Sequence, residues 1–346
     1  MNSTKSKLLW SLLFLLIAAG TIWAFTSQNR SFSFASFLAY LEGASPGWFL
    51  TALASALGFI FFEAAAVAAA CRAFGYRVRL SRGLVYSASD IYFSAITPSA
   101  TGGQPACAYF MIRDGLPGTV ATAALLANLT MYTLSILLIG LAVFLFFPGI
   151  FLSFSPLSKV LILLGYIFQL GLTAFFVLLL KNERILHRLC AAVLHFLCKL
   201  RILRRKEEKL EKLANMMRRY GETVASLRGK LKPMIAVFFF NLLQRLCSVS
   251  VPLFVFLAAG GPAGSAPLLW AMESYVIIGS NCIPIPGAMG VSDYLMLDAF
   301  ESIMTRPQAA NLELLSRSLS FYLCIILCGL VVLAAYLIQK RKEHIC

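Results

Sequence analysis

The sequence predicts an all-α integral membrane protein, in which six helices span the bilayer and two further apolar segments form re-entrant broken helical hairpins within an inverted repeat. Three observations predict this fold class: the composition, the alternation of basic loops with apolar segments, and two segments interrupted by Pro and Gly. Hydrophobic residues make up 60% of the 346 residues and charged residues only 13%. A soluble core cannot enclose so much apolar surface, so the excess must face lipid.

Six segments are apolar enough to cross the bilayer, which requires about 20 such residues. They are 8–26, 47–70, 115–158, 160–180, 234–259 and 314–339. The first follows Lys5 and Lys7 and has some features of a signal peptide. Because no convincing small-residue cleavage site follows, we interpret it as an uncleaved span. The whole chain, 1–346, is predicted to form a single membrane domain.

Basic residues indicate the topology. Most of the 30 Lys and Arg residues lie before the first span, between residues 70 and 113, in 181–232 or in the C-terminal tail. The loops on the opposite side hold Arg30, Lys159 and Arg306. By the positive-inside rule, both termini and 181–232 are expected in the cytoplasm. The net charge of +15 is therefore explained by topology, and we expect no nucleic-acid partner.

The basic segment 181–232 is predicted to be a helical cytoplasmic connector. Between residues 199 and 220, an apolar stripe that includes Leu203, Met217 and Tyr220 runs among Lys and Arg side chains. Such a stripe can lie on the inner leaflet, whose anionic head groups attract each basic residue by about 1 kcal/mol. Anionic inner-leaflet lipids are therefore expected partners of 199–220, and a solvated connector is the alternative.

Two apolar segments, 86–112 and 266–298, are interrupted at their centres and are not predicted to span. The first contains Pro98 and Gly102, and the second contains Pro286 and Gly290. Proline removes a hydrogen-bond donor and glycine permits backbone angles that a helix forbids, so each segment is predicted to be two half-helices joined by a loop. Loop backbone at this depth must be buried in protein or line a wet cavity.

The order span, broken hairpin, span occurs twice, in 47–147 and in 234–339. Aligning Pro98 with Pro286 also aligns Gly102 with Gly290. Arg82 and Arg113 place the entry of the first hairpin inside. Counting spans forward places the entry of the second outside, so the repeats are predicted to be inverted. In transporters with inverted repeats, the substrate site lies where the broken helices meet, near the middle of the bilayer.

Charged residues within the apolar segments are the first candidates for such a site, because a charge at this depth costs several kcal/mol unless it is paired or hydrated. They are Glu63, Asp90, Arg245, Glu273 and Asp293. We expect Arg245 to pair with Glu63, Asp90 or Glu273, and an ion pair that only fixes helix packing is the alternative. Arg317 lies near the outer end of the last span, where we expect it to extend to the interface.

Small and polar residues near the hairpin centres complete the candidate lipid-binding site. They are Thr97, Ser99, Thr101, Gly102, Gly103, Gln104, Asn281, Pro286 and Gly287, with further amides at Asn128 and Gln244. Half-helix N-termini and an arginine can hold a phosphate, so a phospholipid head group is the expected ligand. Although His187, Cys190, His195 and Cys198 fall at helical spacing, no second cluster accompanies them. We expect no metal, cofactor or catalytic residue.

The segment Thr97-Pro98-Ser99-Ala100-Thr101-Gly102-Gly103-Gln104-Pro105 resembles the signature of the lysylphosphatidylglycerol synthase transmembrane-region family. Residues 283–292 resemble the second motif of that family, with Gly287-Ala288 where Gly-Gly is usual. The resemblance implies a flippase-type fold that moves aminoacylated phosphatidylglycerol, such as lysyl-phosphatidylglycerol, or a related lipid across the bacterial inner membrane. Lysine on the lipid lowers the anionic surface charge and thereby repels cationic antimicrobial peptides.

In two-part members of that family, a soluble domain transfers the amino acid from tRNA to the lipid. The longest soluble stretch here, 181–232, is too short and too basic to form such a domain. We therefore expect no phosphatidylglycerol lysyltransferase activity, even where the family name suggests it, and a separate aminoacyl-lipid synthase is the expected partner.

Three alternative functions stay open: a secondary transporter of a small solute or ion, a membrane enzyme, and a scaffold. A second copy of the chain, in a homo-oligomer, is a further expected partner. The sequence contains no nucleotide-binding or hydrolase motif of the familiar kinds. Any transport is therefore expected to be passive or coupled to an ion.

Overall fold

The computed structural model describes residues 43–97, 100–199, 206–227, 231–281 and 290–343. All regular secondary structure in these ranges is helical, which confirms the predicted all-α membrane fold. In chain order the helices are α1 (Pro46–Ala73), α2 (Leu80–Ile96), α3 (Gly103–Arg113), α4 (Gly118–Phe146), α5 (Pro148–Ser153), α6 (Pro156–Lys181), α7 (Glu183–Lys199), α8 (Lys206–Ala225), α9 (Leu231–Ala258), α10 (Ala266–Ser280), α11 (Val291–Phe300), α12 (Arg306–Arg317) and α13 (Cys324–Glu343).

Five helices of the described chain are long and apolar enough to cross a bilayer. Four are α1, α4, α6 and α9, and the fifth joins α12 to α13 through a π-helical stretch, Ser318–Leu323. Large apolar side chains on their outer faces are exposed, such as Leu164 and Ile167 of α6 and Leu330 of α13. The chain is therefore a multi-pass membrane protein. The predicted first span, 8–26, lies outside the described residues.

Helices α1 and α9 pack against each other in antiparallel directions along their length. The Ser45 N–H at the start of α1 donates to the Ala258 carbonyl at the end of α9 over 2.8 Å. Farther along, a Cβ added to Gly58 would lie 2.9 Å from Cys247 Sγ. The second half of α1 consists largely of buried alanines, and small residues of this kind let two helices approach closely within a membrane. We call this contact the α1–α9 seam.

Helices α2 and α3 form the first broken hairpin, attached to the C-terminal end of α1. At its base, Asp114 accepts hydrogen bonds from Arg82 over 3.0 Å and from the Tyr86 hydroxyl over 2.8 Å. Near its tip, a side chain at Gly103 would collide with Ser94 and Asp90, so only glycine permits the close approach of the two half-helices. The chain thus returns to the end from which the hairpin began.

Helices α10 and α11 form the second broken hairpin, attached to the C-terminal end of α9. Its arms meet where Gly279 faces Leu295, and its base is held by Asp298, which accepts from the Ser155 N–H over 3.0 Å. Gly102 and Gly290 occupy equivalent places, because each is the residue that immediately precedes a returning half-helix. Since α1 and α9 are antiparallel, the two hairpins enter from opposite ends of the molecule.

The last spanning helix contacts both hairpins. Its first part, α12, packs against α11 of the second hairpin. Its second part, α13, packs against α2 of the first, where a Cβ at Gly329 would lie 2.9 Å from the Tyr92 ring. The π-helical stretch lies between these two contacts.

Helices α7 and α8 of the basic connector pack against each other and against the membrane helices. The Tyr220 hydroxyl is buried and donates to the Leu179 carbonyl over 3.1 Å, and burial raises the pKa of Tyr220, so the phenol remains a donor. Met217 is also buried in this contact. These two side chains of the predicted lipid-facing stripe therefore pack on protein, because the membrane domain offers them an apolar surface.

The contact between α6 and α10 provides a test of the fold. A Cβ at Gly165 would collide with the Ile278 carbonyl, whereas one at Gly171 of the same helix meets nothing within 4 Å. We expect Gly165→Ala to lower the free energy of unfolding by about 1–3 kcal/mol through overpacking. Gly171→Ala should raise it by up to about 1 kcal/mol, because alanine favours helix. Thermal unfolding in detergent measures both, and equal midpoints for the two variants would contradict the described contact.

Candidate functional site

Five polar side chains from three spanning helices meet at the α1–α9 seam. They are Glu63 of α1, Asn128 of α4, and Asn241, Gln244 and Arg245 of α9, all buried, and we call them the central polar network. Asn128 donates to Glu63 Oε1 over 3.1 Å, and Asn241 donates to Asn128 Oδ1 over 2.9 Å. Each helix places its polar residues on the face that is turned away from lipid, as polar groups inside a membrane require.

Gln244 connects the acidic and basic members of this network. Its Nε2 donates to Glu63 Oε2 over 2.6 Å, and its Oε1 accepts from Arg245 Nε over 3.3 Å. The expected direct ion pair of Arg245 with Glu63, Asp90 or Glu273 is therefore not formed among the described residues. Arg245 acts on Glu63 through space, and Gln244 supplies the connecting hydrogen bonds.

The Arg245 guanidinium is held by aromatic rings. Its carbon lies 4.3 Å from the centre of the Tyr132 ring and 5.6 Å from that of Phe59. A cation over an aromatic face gains about 0.5–2 kcal/mol, with the larger values where water is excluded. The rings therefore stabilise the charge inside the membrane without using its terminal nitrogens as hydrogen-bond donors.

A small cavity lies beside this guanidinium, between α4, α9 and α10. It is lined by Arg245, Ser274, Val249 and the isoleucines Ile136, Ile139, Ile277 and Ile278. Within the described chain, the two terminal nitrogens of Arg245 donate to no protein group. The cavity thus places one arginine and one serine among apolar walls.

The tip of the first hairpin uses most of its predicted site residues to hold its own turn. Asp90 accepts from Gln104 Nε2 over 2.8 Å and from Ser94 Oγ over 3.3 Å. Thr97 Oγ1 accepts from the Gly102 N–H over 2.8 Å. Thr101 is exposed in the turn, and Ser99 lies outside the described residues. Asp90 lies close enough to Glu63 for their carboxyl groups to interact electrostatically, so the tip is near the central polar network.

A second group of charges lies where α10, α11 and α12 meet. Glu273, Asp293, Glu313 and Arg317 form this second charged cluster. Arg317 makes ion pairs with Asp293 and, over 2.7 Å, with Glu313. Its side chain is only 11% exposed. The expectation that Arg317 extends to the interface is therefore wrong, because two carboxylates compensate its charge inside the protein.

The two clusters contain four of the five predicted charged residues, and the fifth, Asp90, lies at the tip of the first hairpin. Glu63 and Arg245 belong to the central polar network, whereas Glu273 and Asp293 belong to the second charged cluster, where Glu273 responds to Arg317 and Glu313. Asn281 ends α10, and Pro286 and Gly287 lie outside the described residues. Sequence reasoning missed Asn241 and Glu313. The spacing of Glu313 and Arg317, four residues apart on one helix face, is a signal for that ion pair.

These features define a multi-pass helical membrane protein with a polar centre between two broken hairpins. The chain belongs to the family described as lysylphosphatidylglycerol synthase TM region, whose model matches residues 9–328. This confirms the family that the hairpin motifs resemble, and it supports a role connected with membrane lipids. Neither the curated proteins nor the solved structures give a significant match to the sequence.

The central polar network can be tested through Gln244. Gln244→Leu removes a donor to the buried Glu63 carboxylate, and we expect it to lower the free energy of unfolding by about 2 kcal/mol or more, because an unsatisfied buried charged group is costly. Phe239→Leu on the same helix is the control, since Phe239 is 53% exposed, and it should change little. The measurement is thermal unfolding in detergent.

A double variant tests the same contact from both sides. Glu63→Leu together with Gln244→Leu removes both partners and should cost less than the sum of the single variants. Strict additivity of the two effects would show that the residues do not interact.

Proposed function

We propose that this protein translocates aminoacylated phosphatidylglycerol, such as lysyl-phosphatidylglycerol, or a related phospholipid between the leaflets of the bacterial inner membrane. The observation that carries the proposal is the arrangement of Arg245. Its guanidinium lies in the α1–α9 seam, stacks on Tyr132, borders an apolar cavity and keeps its terminal nitrogens unengaged within the described chain. A buried arginine with these properties suits a phosphate that must leave water.

The acidic side chains near this arginine suit the positive charges of a zwitterionic head group. Glu63 lies one glutamine away from Arg245, and Asp90 lies near Glu63 at the tip of the first hairpin. In our proposal Arg245 binds the lipid phosphate, while the carboxylates attract the ammonium groups of an aminoacyl ester. The acyl chains stay in the bilayer, so only the head group enters the polar centre.

The two hairpins supply a route for this head group. Each reaches the interior from one end only, and the α1–α9 seam lies between the halves that carry them. Access from one leaflet or the other would follow from small displacements of the halves along this seam, as in transporters built from inverted repeats. The aminoacyl group would be added by a separate synthase, and outward movement of the product would protect the cell against cationic antimicrobial peptides.

Reconstitution tests the function. Liposomes that contain the purified protein and acyl-labelled phosphatidylglycerol or lysyl-phosphatidylglycerol should move the label between leaflets faster than protein-free liposomes, as measured by quenching from outside. Arg245→Gln should slow this movement at least tenfold, because a hydrogen bond to a charged group contributes about 1.5–3 kcal/mol. Arg245→Lys should lie between, since lysine keeps the charge but cannot bind in bidentate fashion.

Arg306→Gln is the matched control, because Arg306 is 79% exposed and pairs only at the surface with Glu301. We expect it to transport at the wild-type rate. If neither lipid moves where an established lipid translocator succeeds, lipid translocation is wrong, and transport of a small solute becomes the stronger hypothesis.

The orientation is part of the proposal, with the connector and both termini in the cytoplasm. Ser226 is exposed after α8, and Gly149 is exposed between α4 and α6 at the opposite end, with open space for a side chain. In a cysteine-free background, a membrane-impermeant maleimide should label Gly149→Cys in spheroplasts and Ser226→Cys only after the membrane is opened. The reverse pattern would invert the proposed topology.

A further inference from the structure

We propose that the second charged cluster binds a proton at Glu273, and that this proton is the coupling ion of transport. The coupling part of this inference rests on the proposed function, whereas proton binding does not. The cluster is distinct from the central polar network, in which Arg245 is proposed to bind the lipid phosphate.

The cluster holds more acids than its one guanidinium can neutralise. Arg317 is engaged by Asp293 and by Glu313, which leaves Glu273 as the third carboxyl group. Glu273 is only 8% exposed, and its Oε2 atom has no hydrogen-bond partner in the described chain. An ionised carboxylate in such a place is costly unless it is paired. A bound proton removes the charge.

Charged groups on the elements around α10 do not supply the missing partner. Helices α4 and α5 carry no charged residue at all. The neighbouring elements α6, α9, α11 and α12 contribute Lys159, Lys181, Lys232, Arg245, Asp293, Asp298, Arg306, Glu313 and Arg317. Of these, Arg317 and Glu313 lie close enough to Glu273 to interact with it electrostatically, and Arg317 is already shared between two other carboxylates.

A proton suits this site better than a larger cation. Hard metal cations such as Ca²⁺ and Mg²⁺ take about six or more oxygen ligands, which need space around the ion. Here Asp293 and Glu313 are held by Arg317, and Glu273, Glu313 and Arg317 are largely buried. An ammonium group needs similar space for its three donors. Binding a proton to the Glu273 carboxylate requires no volume and yields a neutral carboxylic acid.

Release of the proton would redistribute the ion pairs of Arg317. The new Glu273 charge competes for Arg317 with Asp293, which stands on the returning arm of the second hairpin. Asp293 also accepts from the Gly290 N–H over 2.9 Å, so it fixes the start of that arm. Proton loss therefore favours movement of Arg317 toward α10 and loosens the arm from α12. Protonation is thereby linked to the position of the second hairpin.

Infrared difference spectroscopy tests proton binding without transport. Purified protein taken from acid to alkaline buffer should lose a carbonyl band of a protonated carboxyl group in an apolar setting. Glu273→Gln should lack this band, and the control Glu301→Gln, at an exposed acid, should keep it. If Glu273→Gln does not fold, Glu273→Asp retains a carboxyl group and should shift the band. A band that is absent in the wild type, or unchanged in the Glu273 variants, overturns the inference.

Lipid transport under a pH gradient tests coupling. A gradient should accelerate lipid movement by the wild type and by Glu301→Gln, whereas the ratio of rates with and without the gradient should fall to unity in Glu273→Gln. If the wild type moves lipid at the same rate with and without the gradient, coupling is overturned and the proposed function remains intact. If the wild type moves no lipid, the proposed function fails, and the infrared result still decides whether Glu273 binds a proton.

Discussion

The burial of carboxylate and amide groups in a low-dielectric interior constrains how α1, α4 and α9 are oriented. Glu63 can lie in α1 only because Asn128 and Gln244 donate to it from two other helices. These contacts fix the rotation of α1, α4 and α9 about their axes, and the small residues of α1 allow α9 to approach closely enough to make them. The hairpins are attached to the C-terminal ends of α1 and α9, so the arrangement of these helices also sets the positions of the hairpins.

The sequence predicts the hairpins well because proline and glycine act locally. Gly102 and Gly290 each precede a returning half-helix, where the alignment of the two repeats places them as equivalents. Spanning helices are equally easy to predict from sequence, because length and apolar composition identify them without knowledge of their neighbours. The family resemblance also rests on local motifs, and the match over residues 9–328 confirms it.

The partners of the buried charges were not predictable, because they depend on how helices rotate and pack. The sequence predicts that Arg245 pairs directly with a carboxylate, yet Gln244 lies between it and Glu63. The sequence predicts that Arg317 extends to the interface, yet it pairs with Asp293, which precedes it by 24 residues. Composition places a charge within a span, but only packing decides which face of the helix carries it and what it meets.

The π-helical stretch in the last span separates the contact of this helix with the second hairpin from its contact with the first. In a uniform α-helix, these two contacts would lie at a different angle to each other about the helix axis. Each π turn accommodates an extra residue, so side chains beyond it are rotated about the axis relative to those before it. Arg317 therefore faces the second hairpin, while Gly329 lies against Tyr92 of the first. This one helix therefore contacts both hairpins. A rotation imposed on this helix at one hairpin would therefore be transmitted to the other, and it would also act on the α1–α9 seam, which the same helix contacts.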